Sequence, residues 1–150
     1  MLDISAQLGT FDSPIHPDVM AGLIVSWTRA LVDTNVVFLS THRNVPSLYQ
    51  LIARGDVSYK EEEFGFEDFF DIPTILKQRH ADCEDLAAWR TAEYRVAGYW
   101  ADVVVTWEAL ELDTGDIDIL FHVRTISQFG LEDPSERAGM NAQLAWGARH

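Results

Sequence analysis

The sequence predicts an α+β domain over residues 1–150, with a helical first half followed by an antiparallel sheet and a cysteine at a helix N-terminus. Three patterns lead to that expectation. Apolar residues recur every three or four positions after Pro17, a helix start is written at Asp82-Cys83, and two alternating segments flank Asp113-Thr114-Gly115-Asp116.

From Pro17 to Asp33, Met20, Leu23, Ile24, Trp27 and Leu31 fall on one side of a helix, with Pro17 suited to its first turn. Val36 to Leu39 follows as a short apolar run ended by Asn44-Val45-Pro46, and Ser47 to Arg54 reads as a short helix closed by Gly55. Glu61 to Asp71 holds six acids, four phenylalanines and no base, and is expected to be a loop anchored by its rings with solvated carboxylates. Regular structure restarts at Pro73, with Ile75 and Leu76 expected in the core.

Asp82 suits an N-cap and Asp85, three positions on, the return partner of a capping box. Strong helix formers from Leu86 to Arg95 extend that helix, and Gly98 stops it. Ala101 to Trp107 alternates as a strand. After the turn, Ile117 to Thr125 alternates again, with Ile119, Phe121 and Val123 on one face and Leu120, His122 and Arg124 on the other, so the two form a hairpin. A third extended piece is expected at Leu131 to Pro134, and a helical end including Trp146 after it.

Eleven Lys plus Arg stand against 24 Asp plus Glu, a formal net charge of -13, and 47% of the residues are hydrophobic. A chain of this length buries about two-thirds of its unfolded surface, so it builds a core without disulfides or metal. The charge repels phosphate backbones, which argues against nucleic-acid and anionic-membrane partners. Cys83 is the only cysteine, so no intramolecular disulfide forms and no zinc site of two or more thiolates assembles within one chain. The start Met1-Leu2-Asp3 lacks a basic region and Ala21 to Val25 is too short to span a bilayer, so a soluble, unsecreted protein is expected.

Cys83 is the residue with nucleophilic potential, provided something stabilises its thiolate. The helix N-terminus favours an anion there, whereas Asp82, Glu84 and Asp85 oppose one. An imidazolium would shift that balance. His16, His42 and His150 are not held on a rigid element facing Cys83, and His80, three residues upstream, lies in a loop. His122 has its direction fixed by a strand, though a strand histidine also occurs as a surface or satisfied core residue. Asp133 follows a turn at Gly130 and precedes Pro134, which biases it toward the extended conformation needed to align beside His122; an Asp-Pro pair also serves simply as a turn.

Taken in order, Asp82-Cys83-Glu84-Asp85-Leu86-Ala87-Ala88-Trp89-Arg90, then Gly98 and Ala101, His122-Val123-Arg124, and Glu132-Asp133-Pro134-Ser135 resemble the transglutaminase-like cysteine-enzyme superfamily. Val57-Ser58-Tyr59-Lys60-Glu61-Glu62 and Gly139-Met140 extend the resemblance to its small members encoded by tailed bacteriophages. His80-Ala81 stands where the family has a glycine before the cysteine block, and no His-Ala-Trp segment accompanies the histidine. The resemblance implies a papain-like, transglutaminase-like fold, with Cys83, His122 and Asp133 as a catalytic triad. It further implies attack on a protein or peptide amide through a thioester, with no cofactor. The Cys83 backbone N–H, and Gln78 just upstream, are candidates for the oxyanion donors. Phage structural proteins are further expected partners, and the host cytoplasm or the virion the expected location.

Two other readings stay open on the sequence. One is a phage structural or assembly protein that keeps the fold without turnover, with Glu61 to Asp71 as a docking surface. The other is a metal site of His80, Cys83 and a nearby carboxylate.

Overall fold

The computed structural model describes residues 3–7, 16–61 and 66–140. Helices occupy most of the chain up to Val96, and an antiparallel three-stranded sheet follows. The first helix, α1 (Pro17–Thr41), has Pro17 in its first turn and His16 as its cap, whose ring nitrogen accepts from the Asp18 N–H. It runs through Val36 to Leu39 rather than ending at Asp33. Asn35 explains the difference: this mid-helix polar residue is fully buried, and its side-chain oxygen accepts the Ile72 N–H at 3.0 Å. By length and composition α1 is apolar enough to cross a membrane. In this fold Ile24, Leu31 and Val32 are buried in a core shared with Ala87, Ala88 and Ala92, and Arg29 pairs with Asp102 at 2.8 Å.

The second helix, α2 (Leu48–Ala53), lies where a short helix is expected and carries a capping box, Ser47 and Gln50 each accepting from the other's backbone N–H. Gly55, at φ 77°, supplies the left-handed stop. Two small pairings follow. The strand β1 (Asp3–Gln7) is antiparallel to β3 (Phe66–Phe70), and β2 (Ser58–Tyr59) is parallel to β4 (His80–Ala81).

The expectation of a loop over Glu61 to Asp71 is therefore corrected for residues 66–70, while 62–65 lie outside the described residues. A distant partner strand supplies the backbone hydrogen bonds, which local composition cannot reveal. Phe69 is fully buried, edge-on to Trp27 at 5.7 Å. Asp71 is 2% exposed rather than solvated, because it caps α3 (Ile72–Gln78) by accepting from the Thr74 N–H at 3.1 Å. On that helix Ile75 is buried as expected, but Leu76 is 37% exposed, since one helical step turns it roughly 100° away from the core.

The central helix, α4 (Cys83–Val96), is followed by Gly98 at φ 89°. Leu86, Ala87, Ala88, Trp89 and Ala92 are all fully buried. Alanines on the side facing α1 allow close approach, and Leu86 and Trp89 fill a second core with α2 and α3. The hairpin β5 (Ala101–Glu111) and β6 (Ile117–Ser127) pairs without interruption from Ala101 opposite Ser127 to Glu111 opposite Ile117. A short edge strand, β7 (Gly130–Glu132), pairs with β6, and α5 (Pro134–Arg137) turns back toward α4. The expected helical end with Trp146, and His150, lie outside the described residues.

Candidate functional site

Cys83 opens α4, where backbone N–H groups lack intrahelical acceptors. Its acidic neighbours divide by task. The Asp85 carboxylate is fully buried and accepts the Phe70 N–H at 2.8 Å and the Asp82 N–H at 3.4 Å, joining the helix start to β3. Glu84 is 3% exposed and accepts the Cys83 thiol at 3.2 Å. A carboxylate so placed disfavours a second negative charge on sulfur. Cys83 itself is 9% exposed, at the margin of the core.

The alignment of α4 on the sheet follows from three contacts. Thr125, fully buried on β6, donates to the Ala87 carbonyl at 3.0 Å and meets the Thr91 hydroxyl at 3.2 Å. Further along, Arg95 donates to the Ala101 carbonyl at 2.9 Å, and Ala101 stands opposite Ser127. Later residues of α4 therefore meet the end of β6 nearer Ser127. Stepping back from the Ala87–Thr91 contact to Cys83 covers about 9 Å along the helix axis. At roughly 3.4 Å per strand residue, that is about three positions back from Thr125, at the level of His122. Val123, two positions before Thr125 on the same face of β6, shares a core with Cys83.

His122 is buried on β6, and its Nε2 lies 2.6 Å from Asp133 Oδ2, with side chains 6% and 16% exposed. Asp133 reaches it because β7 ends at Glu132, opposite Thr125, and the chain turns into α5. Pro134 opens that helix, and Asp133 caps it, its Oδ1 accepting from the Glu136 N–H at 3.4 Å. Asp133 thus joins a helix cap to an imidazole contact. Because a carboxylate only accepts, Nε2–H is the donor in this contact, which leaves Nδ1 for any other partner.

Gln78 ends α3, and its side-chain nitrogen donates to the His80 carbonyl at 2.8 Å, spanning the turn before Cys83. One of its two amide hydrogens is thereby engaged. Arg79 makes that turn in the left-handed conformation, at φ 67°. His80 is held by β4 rather than lying in a loop. Among the described residues, no group of three or more His, Cys, Asp or Glu is arranged to hold a metal ion, so the His80–Cys83 alternative finds no ligand set there.

Two contributors were not singled out from the sequence. Tyr59 pairs with Ala81 and packs against the core that contains Cys83. Burial, then the charges of Cys83, Glu61, Asp82 and Glu84, hold its phenol far above the ordinary tyrosine range, so it stays protonated. Glu132, beside Asp133, is held by Tyr49 at 2.9 Å and Arg90 at 3.1 Å. Burial pushes its carboxyl up, but bonds from Tyr94 and Tyr49 and the Arg90 charge more than offset that and hold it below the usual range. Both lie in segments quoted for the family resemblance, but their roles depend on partners distant in sequence.

No protein-family model, curated protein or solved structure matches the chain.

Proposed function

We propose that this chain is a transglutaminase-like thiol enzyme of the small, phage-encoded kind, with a papain-like arrangement of Cys83, His122 and Asp133. The observation that carries the reading is the 2.6 Å contact between His122 and Asp133 beside a helix that begins with Cys83. An imidazole oriented by a carboxylate at the level of a helix-terminal thiol is the constellation nucleophilic acyl transfer requires.

In this mechanism the Cys83 S–H proton passes to His122 Nδ1, and the thiolate attacks a protein or peptide amide carbon. Asp133 stabilises the imidazolium that forms. The oxyanion is met by the Cys83 backbone N–H and by the second amide hydrogen of Gln78. As the carbon–nitrogen bond breaks, the imidazolium proton moves to the leaving nitrogen, releasing ammonia or an amine and leaving a thioester on Cys83. A second amine or water, deprotonated by His122, then attacks the thioester, and the thiol returns. The outcome is transamidation, proteolysis or deamidation, in the host cytoplasm or on the virion, with phage structural proteins among the substrates.

A second reading is favoured by one observation. The Cys83 thiol donates to a buried carboxylate, Glu84, at 3.2 Å, which suits a thiol that does not ionise. The chain would then be a phage structural or assembly protein that keeps the fold without turnover.

Iodoacetamide modification of Cys83 against pH separates the two. The enzyme reading expects modification well below about pH 8 that disappears in His122→Ala. A single titration at the ordinary thiol value, unchanged by that substitution, overturns it. Incorporation of a fluorescent amine into glutamine-containing phage and host proteins, or ammonia release from them, tests turnover with Cys83→Ser as the blank. Absence of turnover across a broad panel, with a virion phenotype that survives Cys83→Ser, favours the structural reading.

A further inference from the structure

Away from the thiol, polar side chains from three elements converge on the residue immediately before Asp133. Arg90, from α4, is held between two rings, its guanidinium carbon 4.4 Å from the Tyr49 centroid and 4.3 Å from that of Tyr94. Arg137, from α5, covers Tyr49 at 4.1 Å. Arg90 donates to Glu132 at 3.1 Å, to Glu93 at 3.2 Å and to the Tyr94 hydroxyl at 2.9 Å. Glu132 also accepts from Tyr49 at 2.9 Å and from the Tyr94 hydroxyl. Glu93 in turn accepts the Leu48 N–H at 2.8 Å, tying α2 to the same group.

This is more than a surface ion pair. The Arg90, Glu93 and Glu132 side chains are only 20%, 14% and 22% exposed, so their bonds act in a partly desolvated setting. Glu132 accepts from three side chains, and its backbone is the last residue of β7. The next residue is Asp133, whose carboxylate must meet His122 while capping α5.

We propose that Arg90, Tyr49 and Tyr94 clamp Glu132 so that Asp133 is set against His122, making Glu132 and Arg90 positioning residues for the imidazole. This rests on the triad reading. α4 carries both Cys83 at its start and Arg90 two turns later, so one rigid helix references the thiol and the carboxylate that orients its base to the same frame. A lysine at position 90 cannot take that role, because an ammonium neither stacks between two rings nor fills the planar fork.

The test uses the full chain with Glu132→Gln, Arg90→Lys and Tyr94→Phe, and two readouts. One is the proton resonance of the His122–Asp133 hydrogen bond with the histidine ring nitrogen shifts. The other is the pH profile of Cys83 modification by iodoacetamide, with His122→Ala as reference. The clamp predicts that the bonded-proton signal is lost or broadened in Glu132→Gln and Arg90→Lys. It also predicts that the modification rate near pH 6.5 falls about fivefold or more, as when a charge-assisted contact is loosened. Tyr94→Phe, which keeps the ring beneath Arg90, is expected to have a smaller effect. A purely structural network moves only the thermal midpoint, so an unchanged bonded-proton signal and pH profile in Glu132→Gln overturn the clamp. Loss of that signal in a protein whose wild-type profile ignores His122→Ala upholds the positioning of Asp133 and overturns the triad reading instead.

Discussion

Asp133→Asn separates the charge of the orienting carboxylate from its structural task. Asp133 does two things at once: Oδ2 meets His122 Nε2 at 2.6 Å, and Oδ1 caps α5 through the Glu136 N–H at 3.4 Å. Asparagine caps a helix about as well as aspartate, so the substitution removes the charge and leaves the cap. Bonds to a charged partner contribute about 1.5–3 kcal/mol and neutral ones about 0.5–1.5, a loss here of about 1–1.5 kcal/mol for the imidazolium form. At 1.36 kcal/mol per decade that is about a five- to thirteenfold fall in the thiolate–imidazolium pair the proposed triad would form. The assay is the pseudo-first-order rate of iodoacetamide modification of Cys83, followed by mass spectrometry from about pH 5.5 to 9.5. The limb below about pH 8 is expected to fall by that factor, while the rate near pH 9.5 stays at the wild-type value, since the isolated thiol ionises there anyway. Asp133→Ala is expected to show the same kinetic loss and a further stability loss of about 1 kcal/mol in urea, from the missing cap. An Asp133→Asn profile that superimposes on wild type throughout would refute the reasoning.

Glu84→Gln removes the negative charge beside the sulfur, and modification at pH 7 is expected to rise on the order of tenfold; an equal or slower rate sinks the assignment of Glu84 as the opposing charge. Thr125→Val removes the buried hydroxyl that registers β6 on α4 and is expected to cost about 1–2 kcal/mol, read as a lower urea midpoint at unchanged slope. Thr125→Ser, which keeps the bond, should lose less, and the reverse order would discredit the contact. Burial pushes the Asp102 carboxyl up, but bonds from Arg29 and the Val103 N–H, with the Arg29 and Arg95 charges, more than offset it and hold it below its ordinary value. A depressed carboxyl stabilises the fold above the unfolded pKa of about 3.9 and loses that contribution as pH falls through the folded value. Asp102→Asn is thus expected to lower the urea midpoint at pH 7 and to converge with wild type toward pH 2; a constant gap across that range refutes the linkage.

What the sequence revealed were features fixed by neighbours close in the chain. The short helix after Ser47, the Asp82–Asp85 helix start, the Gly55 and Gly98 stops and the alternation of β5 and β6 are all local. Features set by distant partners were hidden. Asn35 reads as a break in an apolar helix until Ile72 appears opposite it. Phe66 to Phe70 reads as an acidic loop until β1 pairs with it. The same division holds at the site. Cys83 and His122 announce themselves by type and by element, and Asp133 by the proline after it. Glu132 resembles any exposed strand-end acid, because Arg90 and Tyr49, which give it a role, stand 42 and 83 residues away.

In the proposed triad two carboxylates would act on the thiol and the imidazole in opposite directions, and their balance divides the enzyme reading from the structural one. Glu84, 3.2 Å from the sulfur, opposes a negative charge there, whereas in the proposed mechanism Asp133, 2.6 Å from the ring, would stabilise the imidazolium that forms when the thiol gives up its proton. The Asp133–His122 contact, at 2.6 Å, is shorter than the Cys83–Glu84 contact, at 3.2 Å, and sulfur is the weaker hydrogen-bond donor. A double-mutant cycle measures the balance directly. If Asp133 acts through a pair that already exists, its substitution slows Cys83 modification by a similar factor in the wild-type and Glu84→Gln backgrounds, with coupling below about 0.5 kcal/mol. If Glu84 keeps the thiol neutral, Asp133→Asn has no effect in wild type and gains one only once Glu84 is neutralised. That second pattern would identify a silenced triad and would support the structural role over the catalytic one.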